Sequence, residues 1–99
     1  MAYNPSMEFE WNEDKSEACF QDRGFDFNYA ASVFLDPRKI IVQDHRRDYG
    51  EDRYQILGMI EERVYFVAYT MRGSIFRIIS ARKANRREID TYEHNTRRG

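Results

Sequence analysis

Tyr54-Gln55-Ile56-Leu57-Gly58-Met59-Ile60-Glu61-Glu62-Arg63-Val64-Tyr65-Phe66-Val67-Ala68-Tyr69 is the stretch that decides the fold. Its two arms, 54–59 and 64–69, are rich in β-branched and aromatic side chains, and the break at 60–63 is short and charged. That pattern predicts a β-hairpin. Arg72-Gly73 offers the next turn, and 74–80 reads as a third strand of a meander. Upstream, 40–42 is a short apolar run, separated from the hairpin by a charged loop from Asp44 to Asp52.

Moving towards the N-terminus, the period changes. Residues 7–11 alternate Met7, Phe9 and Trp11 with Glu8 and Glu10, the spacing of a half-buried strand. Asn12 is a good N-cap, and Glu13 and Asp14 suit a helix start. That helix should run to Arg23 and stop at Gly24, which can take the left-handed conformation after a helix. Asp26 should cap a second helix through Leu35, with Phe27, Ala30, Ala31 and Phe34 at helical spacing. Asp36-Pro37 ends it, because the residue before a proline avoids helical geometry.

Beyond the meander, Asn85-Arg86-Arg87-Glu88 has the spacing of a capping box, so a last helix should begin at Arg86 and end near 92–94. The expected architecture is therefore α+β: an antiparallel sheet of about four strands, two N-terminal helices and one C-terminal helix. Residues 1–6 read as a disordered lead-in, 7–94 as a single domain, and 95–99 as a basic tail.

Ninety-nine residues suit one compact domain, which buries roughly 60–65% of its unfolded surface. Seven Phe, seven Tyr and one Trp can fill its core although a third of the chain is charged. The single cysteine, Cys19, excludes an intrachain disulfide and multi-cysteine metal sites. No apolar run of signal or membrane-spanning length occurs, so a cytoplasmic protein is expected. The net charge of −1 hides an asymmetry. Eight acidic residues face Lys15 and Arg23 in 1–36, whereas eight basic residues face Glu88, Asp90 and Glu93 in 72–99. Either a polyanion-binding face is present, or the two ends attract each other across the fold.

The basic stretch 72–87 is the candidate working surface, with RNA as its expected ligand. Arg77 lies between Ile75 and Ile79 on one face of the expected strand. Arg82 and Lys83 follow, then the capped helix start, where free backbone N–H groups and the helix dipole favour an anion. Arginine's planar fork matches phosphate oxygens. A solvated loop with an ordinary helix cap is the alternative. The loop His45-Arg46-Arg47-Asp48-Tyr49-Gly50-Glu51-Asp52-Arg53 is dense in proton-transfer groups. Histidine can exchange a proton near neutral pH, and Glu51 beside Arg53 could be a carboxylate base beside a cation. No P-loop, dinucleotide fingerprint, HExxH or nucleophile elbow is present, and no cofactor is expected. Cleavage of RNA fits such a residue set. The substrate's own 2′-hydroxyl can be the nucleophile, leaving the protein to supply a proton acceptor, a proton donor and cations.

These residues resemble the BrnT family of bacterial toxins, small relatives of the RelE-like ribonucleases. The resemblance rests on Phe9-Glu10-Trp11 with Lys15, Gly24 with Phe27 and Ala30, Val33-Phe34 with Asp36-Pro37, and Gly50-Glu51 with Arg53. Gly58 and Tyr69-Thr70 extend it, and its most specific block is Arg77-Ile78-Ile79-Ser80-Ala81-Arg82-Lys83-Ala84, followed by Arg87-Glu88 and Tyr92-Glu93. It implies a RelE-like domain and a metal-independent endoribonuclease toxin that blocks translation. A BrnA-like ribbon-helix-helix antitoxin would neutralise it, in a homodimer or a heterotetramer with antitoxin, and only the antitoxin would read DNA. Carried over by position, Glu51, Arg53, Arg77 and Arg82 are the expected catalytic residues. Arg23, His45, Lys83, Arg86 and Arg87 are the expected substrate contacts. The chain departs from the family at the end of the first helix, where Asp22-Arg23-Gly24 replaces the usual Lys-His-Gly. Three positions earlier, Cys19 replaces a residue that often carries an amide. The departure motivates an alternative, a catalytically weak module that acts as antitoxin partner and operon co-repressor.

Overall fold

A computed structural model describes residues 7–46 and 50–98. The chain begins with strand β1 (Glu8–Trp11), helix α1 (Glu13–Arg23) and the short helix α2 (Phe27–Ala30), which tightens into a 3₁₀ segment, Ala31–Leu35. Strands β2 (Ile40–Asp44), β3 (Arg53–Ile60), β4 (Arg63–Arg72) and β5 (Ile75–Lys83) follow, and helix α3 (Arg86–Arg98) closes the order. The helix signals act where the sequence places them. The Asn12 side chain accepts the Lys15 N–H, Gly24 closes α1 at φ 86°, and Asp26 accepts the Tyr29 N–H. At α3, Asn85 and Glu88 accept each other's backbone N–H at 2.9 Å, a completed capping box.

The sheet has five strands in the order β1-β5-β4-β3-β2, one more than expected. It is also mixed: β1 lies parallel to β5, at an edge. Three other expectations need correction. Strand β5 runs on to Lys83, so Arg82 and Lys83 belong to the strand and only Ala84 and Asn85 separate it from α3. Helix α3 continues to Arg98, four residues beyond the expected end, so 95–98 are helical and are not a tail. Ile79 no longer shares a regular face with Arg77. Ala68 pairs Ser80 while Tyr69 pairs Ile78, which leaves Ile79 as the extra residue of a β-bulge. The proposed lead-in 1–6 lies outside the described residues.

The sheet therefore has two distinct faces. On the inner face, Ile56, Tyr65, Val67, Tyr69, Ile78 and Ala81 meet Phe25, Phe27, Ala30, Val33 and Phe34 of the helical layer in one buried cluster. Gly58 lets the 3₁₀ segment approach, since a Cβ there would sit 2.8 Å from both the Cβ and the carbonyl oxygen of Val33. On the outer face, Val64 and Phe66 are buried outside that cluster. Helix α3 packs on this side against β3, with buried Tyr92 donating to Asp36 at 2.5 Å. No helix among the described residues is long and apolar enough to cross a membrane.

Candidate functional site

The register of the strands assembles a row of polar side chains across the outer face. Glu10 pairs Arg77, Arg77 pairs Thr70, Thr70 pairs Arg53, and Arg53 pairs Asp44. All five strands contribute one residue each. Neighbouring strands lie about 4.8 Å apart, so Arg53 and Arg77 flank Thr70 at a backbone separation of about 10 Å. Arg72, two residues beyond Thr70 on β4, adds an exposed cation on the same face.

Each flanking arginine is held by a carboxylate. Arg77 Nη1 donates to Glu10 at 3.0 Å, and Arg53 Nε donates to Glu51 at 3.3 Å. All four side chains are about a third exposed, between 29% and 35%. Such pairs contribute little to stability, so an incoming phosphate can exchange with the carboxylate at small cost. Thr70 lies buried beneath them, and its hydroxyl donates to the Asp52 carbonyl at 2.5 Å, tying the end of the charged loop to β4. At the β2 end, Arg46 grips Asp44 through two 2.9 Å bonds, and this contact drives the Asp44 carboxyl far below its ordinary range. His45 is exposed and directly follows Asp44. Arg47, Asp48 and Tyr49 lie outside the described residues.

The expected 72–87 surface does not stay together. The bulge at Ile79 shifts the alternation by one, so Arg77 and Arg82, five residues apart, both face outward, while Lys83 turns inward. Arg82 then sits opposite Phe66, four residues along β4 from Thr70 and the charged row. There its guanidinium lies 4.1 Å from the Phe66 ring centroid and forks onto Glu88 at 2.8 and 2.9 Å. Glu88 is held below its ordinary range by Arg82 first and by the Asn85 N–H, against the opposing effect of burial. The anion at the start of α3 is thus the protein's own Glu88 carboxylate. Arg86 pairs with Asp90 at 3.5 Å on the exposed side of α3. Arg86 and Arg87 border an open groove with Ile40 and His94. Arg23 and Lys83 lie elsewhere, both lining a cavity on the inner side of the sheet.

With this geometry in place, a family profile described as "Ribonuclease toxin, BrnT, of type II toxin-antitoxin system" matches residues 11–88. The chain belongs to the BrnT family. It is therefore a ribonuclease toxin of a type II toxin–antitoxin system, a class that implies an antitoxin partner. A search of curated proteins found no match. Within this BrnT domain, sequence reasoning had singled out Arg53, Arg77 and Glu51. Glu10 and Thr70 carry no role in the sequence reading, and Arg72 enters it only as the first residue of the basic stretch 72–87. Glu10 is 67 residues from Arg77, and no local pattern announces that β1 pairs in parallel with β5. Among the described residues, no group of three or more His, Cys, Asp or Glu side chains could hold a metal ion.

Proposed function

We propose that this toxin cleaves RNA without a metal, by attack of the substrate's 2′-hydroxyl, at the outer-face row. The observation that carries the reading is the placement of Arg53 and Arg77 on either side of Thr70, each against its own carboxylate. A phosphodiester entering the row takes over the two guanidiniums, which stabilise charge building on its oxygens. The displaced Glu51 carboxylate accepts the 2′-hydroxyl proton as that oxygen bonds to phosphorus, and the His45 imidazole gives a proton to the 5′-oxygen as the P–O5′ bond breaks, leaving a 2′,3′-cyclic phosphate while Arg53 stays charged on the phosphate. Arg82 is assigned a different duty, holding α3 to β5, and Arg86 and Arg87 a peripheral backbone contact. Cleavage of this kind would inhibit translation in the cytoplasm. A BrnA-like ribbon-helix-helix antitoxin would neutralise the toxin, supply the DNA contacts and set the assembly as a heterotetramer.

The test is cleavage of single-stranded RNA by purified protein in EDTA. Arg77→Ala should lower the rate about 10²–10³-fold, the usual cost of removing one charge-stabilising donor, and Glu51→Gln about 10²–10⁴-fold. Unchanged cleavage in both variants would sink the assignment. A second reading, a silent antitoxin-binding module, is favoured by Asp22, exposed at the end of α1 where the family usually has lysine. It requires tight antitoxin binding with no cleavage and no growth arrest on expression.

A further inference from the structure

At the C-terminal end of α1, a cavity of about 300 Å³ opens on the inner side of the sheet, where the charged row does not reach. Three rings in its lining pack against one another. Phe25 and Tyr65 meet edge to face at 5.0 Å, Tyr29 and Tyr65 at 5.7 Å, and Phe25 and Tyr29 lie tilted at 6.0 Å. Phe20 completes the wall and is 50% exposed, so it contributes little to the core. Arg23 and Lys83 are exposed in the same lining. Among the described residues, neither has a carboxylate at ion-pair distance, in contrast to Arg53, Arg77 and Arg82.

The hairpin that borders this cavity is strained. Glu61 and Glu62 occupy its two turn positions at φ 48° and 70°, where asparagine or glycine would fit more easily. Glu61 has a use for that position: its carboxylate accepts the Tyr29 hydroxyl at 2.7 Å. A backbone outlier that fixes an aromatic ring in a cavity wall is the pattern expected of a binding site. Size and chemistry narrow the occupant. The volume is at the small end of ligand cavities and admits one planar ring. A ring-lined wall beside unpaired cations suits a splayed base with its phosphate, the usual mode of single-strand recognition. Asp26 in the same lining disfavours a second phosphate.

We infer that this cavity is a nucleotide subsite for the RNA strand, with Phe20 and Tyr29 stacking on one base and Arg23 and Lys83 holding its phosphate. The inference rests on the ribonuclease reading above and adds an anchor away from the scissile bond. A fully 2′-O-methylated, single-stranded RNA separates binding from cleavage, and its affinity can be followed by fluorescence anisotropy at several salt concentrations. Phe20→Ala should weaken binding about 10-fold without changing the salt slope. Lys83→Ala should lower the slope by about one. Both side chains are exposed, so circular dichroism should show intact folds. If wild-type protein binds the RNA and neither variant differs from it, the subsite is refuted while the ribonuclease reading stands. Loss of antitoxin binding alone would refute it equally, assigning the cavity to the protein partner. Wild-type protein that neither binds nor cuts RNA refutes both.

Discussion

Asp36 joins parts of the chain that are far apart in sequence. Its carboxylate accepts the N–H groups of Arg38 and Met59 at 2.8 Å each, and the Tyr92 hydroxyl at 2.5 Å. Burial alone would raise its pKa, but these donors outweigh burial and hold the carboxyl below its ordinary range. The same contact works in reverse on the phenol. Burial, with Asp36 behind it, pushes Tyr92 up to about 12. Tyr92→Phe keeps the ring and removes only the donor, so it should cost about 1.5–3 kcal/mol in thermal or urea unfolding, as expected for a hydrogen bond to a charged group. The Asp36 pKa, followed by NMR titration, should rise in the variant. A carboxyl that titrates unchanged would mean that the two backbone donors alone set its ionisation.

Elements differ in how much of them could be read from the sequence, and the reasons are physical. Caps are local, so Asn12, Gly24, Asp26 and the Asn85–Glu88 box acted where their spacing put them. The hairpin was legible because two arms rich in β-branched and aromatic residues flank a short charged break, although Glu61 and Glu62 are poor residues for its left-handed turn positions. The bulge at Ile79 was not, because nothing in Ile78-Ile79-Ser80 marks an extra residue. That one residue decides that Arg77 and Arg82 share a face and that Lys83 leaves it. Gly58 shows the same limit. It lies inside a strand at a position that demands no unusual backbone, and its reason is the Val33 backbone pressed against it. Gly58→Ala would place a Cβ at 2.8 Å from the Cβ and carbonyl oxygen of Val33, so β3 or the 3₁₀ segment would have to shift. The expected loss is about 1–3 kcal/mol by chemical denaturation. A neutral result would show that the 3₁₀ segment can lift away from β3.

For the molecule as a whole, the candidate site was half legible. Glu51 and Arg53 are near neighbours in sequence, and Arg77 stood out as a cation within an apolar strand. Their assembly with Glu10 and Thr70 depends on strand order, which no periodicity encodes. The same holds for α3, whose attachment spans both ends of the chain. Its first turn is tied to β5 by Arg82–Glu88, and its middle to the end of the 3₁₀ segment by Tyr92–Asp36. Glu88 and Asp36 are both held below their ordinary range in the folded chain. Carboxyls with lowered folded pKa values contribute stability that is present above their unfolded values of about 4 and is lost as pH falls through the folded values. Acid should therefore act on α3 before it acts on the β4–β5 pairing, whose inner-face core holds no carboxylate among the described buried side chains. Amide hydrogen exchange from pH 6 down to pH 3, corrected for intrinsic rates, should show protection in α3 falling well ahead of protection in β4 and β5. Equal loss in both regions would mean that the helix and the sheet unfold as one unit and that the two carboxylates do not set the order.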